Sequence, residues 1–392
     1  MSDAPPFDAA DRDRACEWLK DRSLLLFDPL GAGAHPDDVH FAPSLSAARR
    51  IMEPRFGLRR ADGTPFRVLP LFVERAAPNA FAIDLGGLHL CALHVGLATT
   101  VFELACFVFA QCETFPEVGD PSCETSPALP AGADLCYWIL DELAVRSAGD
   151  GPIGLDIIPN DPERRLMAHF LAQLMLRFTW LHELFHCLNG HAGFLRSLNM
   201  DAPLHELPGE EPMGLIEPAP DLPIDGLTFT EMRQAFEYDA DRSALKAMLA
   251  AQMTGDEPFA VLAERPLALR LKLTVCAGLL MTFLFDQAAR RSGGGGRETH
   301  PLAMNRRHGL ARLLPSHSDQ VRSAFVECEA ESRRLSFAIP KLGQPATVEI
   351  ERSIGDESGT ATVPVDDIKY KMVKPVKRFA FEGGQKISGA VG

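Results

Sequence analysis

The amino-acid sequence predicts an α+β fold, mainly helical, with a small edge β-sheet. Three observations carry this. Residues 162–190 open on proline, keep apolar side chains at helical spacing and close on Asn189-Gly190, which reads as one long helix. Residues 230–252 and 271–289 read as two further helices. Before them, residues 66–97 hold short apolar runs split by Gly86-Gly87, the pattern of strands joined by a hairpin. A chain of 392 residues, 46% apolar and 23% charged, can bury a sizeable core and is not of disordered composition.

In chain order, residues 11–22 read as helix. Residues 66–74 read as a strand whose Pro70 places it at an edge or a bulge. Residues 101–111 are so densely apolar that periodicity allows a buried helix or another strand. Residues 113–133, rich in Pro, Ser and Gly, form a surface loop, and residues 136–145 a short helix. A proline-rich excursion spans residues 193–226, a flexible loop 292–296, and helices 303–314 and 318–335. No internal repeat is evident.

The formal net charge is −14, from 53 acidic against 39 basic side chains, which argues against nucleic acid or an anionic membrane as a general partner. Nine scattered cysteines without a C-x-x-C pair predict reduced thiols in a cytoplasmic protein. Residues 1–19 show no secretory signal. The longest uncharged apolar stretch, residues 273–285, falls short of the roughly 20 residues of a membrane span and predicts a core helix instead.

The chemistry concentrates in His182-Glu183-Leu184-Phe185-His186, an H-E-x-x-H motif within the long helix. At i and i+4 the two imidazoles share a face and can hold one zinc through nitrogen. Glu183, about 100° round the helix, stands where it can act as general base toward water. A third ligand is needed. His191 is close in sequence, but on a continuing helix it would lie on the opposite face from His182, and Gly190 comes too late to turn the chain back. It therefore reads as a helix-end residue. Glu237, in Glu237-Tyr238-Asp239-Ala240-Asp241, is the better candidate. Asp241, four residues on, faces the same way and suits a hydrogen bond to a ligating histidine. Asp239 and Glu231 are weaker ligand candidates.

HELFHCLNGH followed by EYDADRSA resembles the gluzincin zinc metallopeptidases of the HtpX and CAAX prenyl endopeptidase type, in a soluble, minigluzincin-like form. Two further segments fit in family order: PNAFAIDLGG from Pro78, like the family's N-A-F strand, and ETHPLAMNRRHGL at residues 298–310, like its T-H-P segment. The resemblance implies a zincin-like fold over residues 1–340, with an insertion around 113–160. It implies one zinc held by His182, His186 and Glu237, Glu183 as base, and His300 or Arg306 stabilising an oxyanion. The N-A-F strand would then offer a free edge for an extended protein or peptide substrate. Many relatives carry membrane segments that this chain lacks, and the interval from Asn79 to His182 is long for the family. Residues 341–392 predict a small β-rich or partly ordered extension; its basic run 369–381 (KYKMVKPVKRFAF) reads as a solvated strand or tail. Two rival functions remain: a non-catalytic zinc-binding regulator, and a latent protease inhibited by its C-terminal tail.

Overall fold

Asp161 and Gly190 bound the helix on which the rest of the chain is assembled. In the computed structural model, which describes residues 9–30, 41–127, 157–198, 204–205, 228–291, 318–335, 376 and 379–381, this helix is α4, Pro162–Leu188. Asp161 Oδ1 accepts the Arg164 N–H at its N-terminus, with Pro162 in the first turn. Before it come α1 (Ala9–Asp21), β1 (Leu26–Phe27), α2 (Phe41–Met52), β2 (Val68–Val73), β3 (Ala80–Asp84), β4 (His89–His94) and α3 (Val95–Phe109). After it come α5 (His191–Ser197), β5 (Leu204–His205), α6 (Phe229–Thr254), α7 (Ala260–Ala263), α8 (Leu267–Arg291) and α9 (Asp319–Leu335). The described chain is mainly helical with one small mixed sheet.

The sheet order is β1-β2-β4-β3-β5, with only the β2–β4 pair parallel. Both faces of the central strands are buried, so their sequences run as continuous apolar stretches rather than alternating. Phe81, Ile83, Leu90 and Ala92 face Ala15 and Leu19 of α1. Ala80, Ala82, Cys91 and Leu93 turn into the main core with α3 and α4. Gly86 and Gly87, at φ +88° and +92°, form the two-residue turn of the β3–β4 hairpin, a conformation that suits glycine. Pro70 lies inside β2, where β1 pairs only with Phe72 and Val73, so the missing N–H interrupts no second ladder. Residues 101–111, left open between helix and strand, lie largely in helix α3.

The sheet corrects one expectation. β3 was to present a free edge, but β5 pairs antiparallel with it at Phe81 and Ala82. An unpaired row of backbone groups is met here by another segment of the same chain.

Helix α4 packs against α2, α3, α6, α8 and the strands β3 and β4, and is buried on every side from Met167 onward apart from His169. That explains apolar character all round rather than along one stripe. Buried polar pairs brace it. The guanidinium of fully buried Arg164 donates to the carbonyls of Phe109, Gln111, Thr114, Phe115 and Val118 at 2.9–3.1 Å. Those five bonds hold the start of the loop that follows α3. Arg177 meets Glu257 through two 2.7 Å contacts. Lys272 of α8 reaches Glu331 of α9 and Glu117.

Cys276 of α8 and Cys328 of α9 are joined as a disulfide. This corrects the expectation of nine reduced thiols: α8 and α9 pack side by side, bringing the two Cα atoms to 5.6 Å, within bridging reach. The six other described cysteines are free. The stretch Leu267–Phe285 is long and apolar enough to cross a membrane by length and composition, and 78% of it is buried inside the protein.

Of the C-terminal extension, Val376 and residues 379–381 are described, and they pack onto the body. Phe381 is 2% exposed, its N–H donates to Leu188 O at 2.9 Å, and its ring meets Phe66 and His89. Arg60 ties this contact to the hairpin, donating to Phe379 O, to Asp84 Oδ2 and to His89 Nε2. The helices expected at 136–145 and 303–314, and most of the proline-rich excursion, lie outside the described residues.

Replacing Arg164 by Leu is expected to strand five buried carbonyls and cost at least about 3 kcal/mol, read as a lowered urea midpoint at unchanged slope. A midpoint equal to wild type would show that water or other donors replace the guanidinium.

Acid stability follows from His89 and His94. Burial, the largest influence, holds each imidazole down to about 4 from an ordinary 6.5. The unfolded chain therefore takes up these protons first. Their contribution is complete above about 6.5 and is lost as pH falls from there toward 4, at about 1.4 kcal/mol per unit for each ring. Asp84 behaves differently. Burial raises it, but the charge on His89 and the hydrogen bond and charge of Arg60 outweigh that and hold it near 2, so its share persists to lower pH. Chemical denaturation from pH 7 to 4 should show this slope, and a flat profile would rule it out.

Candidate metal centre

Two helices supply the site. α4 brings His182 and His186 one turn apart with Glu183 next to the first, and α6 lies alongside it with Glu237 and Asp241. α6 begins with a capping box: Glu231 N–H donates to Thr228 Oγ1, and Thr228 N–H donates to Glu231 Oε2. Glu231 is thereby committed to the helix start. On α6, Glu237 and Asp241 share one stripe toward the middle of α4. Phe236, Asp239 and Ser243 form a second stripe toward its C-terminal turn.

All five chemistry-bearing residues, His182, Glu183, His186, Glu237 and Asp241, are 1% exposed or less. His182 Nε2 stands 2.8 Å from His186 Nε2 and 3.2 Å from Glu237 Oε2, and His186 Nε2 is 3.7 Å from Glu237 Oε1. One ligand atom from each of the three lies within 4.8 Å of the other two. Tetrahedral ligands at roughly 2.1 Å from one ion stand about 3.4 Å apart, so these separations bracket what a shared cation needs. Burial, the largest influence, pushes His186 down to about 4, so at neutral pH its ring is uncharged and has a lone pair to give.

The outer nitrogens decide which lone pair that is. His182 Nδ1 meets Asp241 Oδ1 at 2.9 Å, and a carboxylate only accepts, so a proton sits on Nδ1, and the tautomer with a single ring proton presents the Nε2 lone pair to the cluster. Nitrogen and carboxylate donors in this number suit zinc and similar borderline divalent ions. The buried His182–His186–Glu237 group can thus hold a metal ion.

Glu183 lies within electrostatic reach of β4: burial, then the neighbouring Cys187, and least the charge of Glu183 raise the thiol of Cys91 well above the ordinary range. Cys187, read from the sequence as core, is buried with its sulfur 3.8 Å from that of Cys91. Trp180 packs in the core and donates from Nε1 to Ser44 Oγ.

His191 stands differently from the sequence reading. α4 stops at Leu188, and Gly190, at φ +86°, turns the chain through a left-handed conformation into α5. A Cβ there would lie 2.6 Å from the backbone of residues 379 and 380. The turn returns His191 toward the cluster: its Nδ1 is 3.1 Å from His186 Nδ1, its Nε2 is 3.4 Å from Asp239 Oδ2, and its ring stacks on Phe236. The sequence reading closes the helix at Asn189-Gly190 but takes Gly190 as too late to turn the chain back; its left-handed conformation does turn it. His300 and Arg306 lie outside the described residues.

Comparison of the chain with known protein families, with characterised proteins and with solved structures finds no match. The site therefore rests on its own geometry.

Replacing Glu237 by Ala should lower bound metal from about one ion per chain to a small fraction, measured by elemental mass spectrometry after dialysis. Asp241→Asn should bind about 10- to 100-fold more weakly in chelator competition. Full occupancy in Glu237→Ala would move the third ligand elsewhere.

Proposed function

We propose that the chain is a zinc-dependent endopeptidase with a zincin-type arrangement, cleaving peptide bonds in protein or peptide substrates. The observation that carries this is the convergence of His182, His186 and Glu237 in one buried group, with Glu183 next in sequence to the first ligand. The resemblance of HELFHCLNGH and EYDADRSA to gluzincins supports the same reading.

Zinc, when bound, supplies Lewis acidity that polarises a carbonyl and acidifies water. The chain's own residues do the rest. His182 and His186 offer neutral Nε2 atoms, and Glu237 adds a carboxylate charge against the cation. Glu183 takes a proton from the attacking water as its oxygen bonds to the scissile carbon. It then gives that proton to the leaving nitrogen as the C–N bond breaks. In this reading His300 or Arg306 would donate to the oxyanion.

The test is Glu183→Gln. It should keep its metal content and lose hydrolysis by a factor of at least about 100, scored as new protein N-termini that appear with wild type and not with the variant. Equal cleavage by both proteins would overturn Glu183 as base. Metal bound by wild type with no Glu183-dependent cleavage of any substrate would favour a metal-binding regulator.

A further inference from the structure

We infer that His191 and Asp239 form a positioning arm for His186, setting the tautomer in which His186 faces the metal. The inference rests on the metal-centre reading and goes beyond its ligands and base.

The argument follows the protons. Asp239 Oδ2 accepts from Asn189 Nδ2 at 2.7 Å and stands 3.4 Å from His191 Nε2. A carboxylate cannot donate, so a proton lies on His191 Nε2, and in the tautomer with a single ring proton its Nδ1 carries a lone pair. That Nδ1 is 3.1 Å from His186 Nδ1, which must then be the donor. With its proton on Nδ1, His186 turns a bare Nε2 toward His182 and Glu237. Asp239 thus decides through His191 what Asp241 decides directly for His182. His191 is not a ligand in this arrangement, since its nearer nitrogen is spent on His186.

Packing fixes the ring that transmits this choice. His191 is 3% exposed and stacks on Phe236 with centroids 4.3 Å apart and planes 17° from parallel. Phe236 and Asp239 are three residues apart on α6, so one stripe of that helix both stacks on the ring and sets a carboxylate 3.4 Å from its Nε2. Gly190 supplies the left-handed turn that brings the ring there.

Three variants separate positioning from packing. His191→Phe keeps a flat ring against Phe236 and removes both nitrogens. Asp239→Asn keeps His191 and offers it a donor amide. His191→Gln can accept from His186 through its carbonyl and donate toward Asp239 through its amide. Zinc affinity is read by chelator competition, and the cobalt-substituted protein is read by its visible absorption, which reports ligand geometry without any substrate.

His191→Phe and Asp239→Asn should each bind zinc about 10- to 100-fold more weakly and shift the cobalt bands. His191→Gln should recover most of the affinity and a near-native spectrum. Circular dichroism checks that each variant is folded, and Asp239→Asn carries the test if the Phe variant is not. Native affinity and spectrum in both disrupting variants would overturn the positioning arm while leaving the metal centre standing. No zinc or cobalt bound by wild type would overturn the centre itself, and the arm with it.

Discussion

Burying charge in one helix-to-helix contact is the constraint on which the rest depends. Glu183, Glu237 and Asp241 lie beside two imidazoles where α4 and α6 meet, all 1% exposed or less. Taking a carboxylate from water costs several kcal/mol unless positive charge or hydrogen bonds replace what is lost. The contact must be closed on every side, and α4 is sheathed by α2, α3, α6, α8 and the sheet. A helix so enclosed is apolar over most of its circumference, and the polar stripe of its second half, Thr179, His182, Glu183 and His186, is buried with the rest. Its few buried cations, Arg164 and Arg177, are committed to carbonyls and a carboxylate away from the centre.

The end of α4 needs as much control as its middle. Leu188 O accepts from Phe381 N–H, Asn189 donates to Asp239, and Gly190 takes the left-handed turn against residues 379 and 380. Those contacts come from α6 and from a segment almost two hundred residues further along the chain. Arg60 links the same segment to Asp84 and His89 at the β3–β4 hairpin. The turn that aims His191 is thus held from two sides, and the C-terminal contact braces this end of the helix rather than hanging free as a solvated basic strand.

What the sequence made legible was local or periodic. α4 and α6, the hairpin at Gly86-Gly87, the i and i+4 pair His182 and His186, and the matching pair Glu237 and Asp241 are all statements about one element. Contacts between elements were not legible. The pairing of β5 on β3 and of Cys276 with Cys328 depends on which surfaces pack, and neither leaves a mark at fixed spacing. Residues 101–111 stayed ambiguous because a strand or a helix buried on all sides has the same composition. His191 was misplaced for a single dihedral. Extending the helix by three residues puts its ring on the far face, whereas one left-handed glycine returns it.

The proton inventory then bears on what the centre must contain. Asp241 takes the N–H of His182, and the His191–Asp239 arm takes that of His186. With both outer protons so placed, two Nε2 lone pairs would face each other at 2.8 Å, with carboxylate oxygens of Glu237 at 3.2 and 3.7 Å. Lone pairs so close repel, in a buried setting where water screens little. Moving a proton inward from either Nδ1 would leave a nitrogen lone pair against the partner that had accepted it, Asp241 on one side and His191 on the other. A bound cation removes the conflict without disturbing either arm. The outer hydrogen bonds, together with the inner distances, are what let this cluster hold a metal ion. They also give its two halves different exposure: Asp241 is sealed in the core, while the Asp239 side chain is 29% exposed.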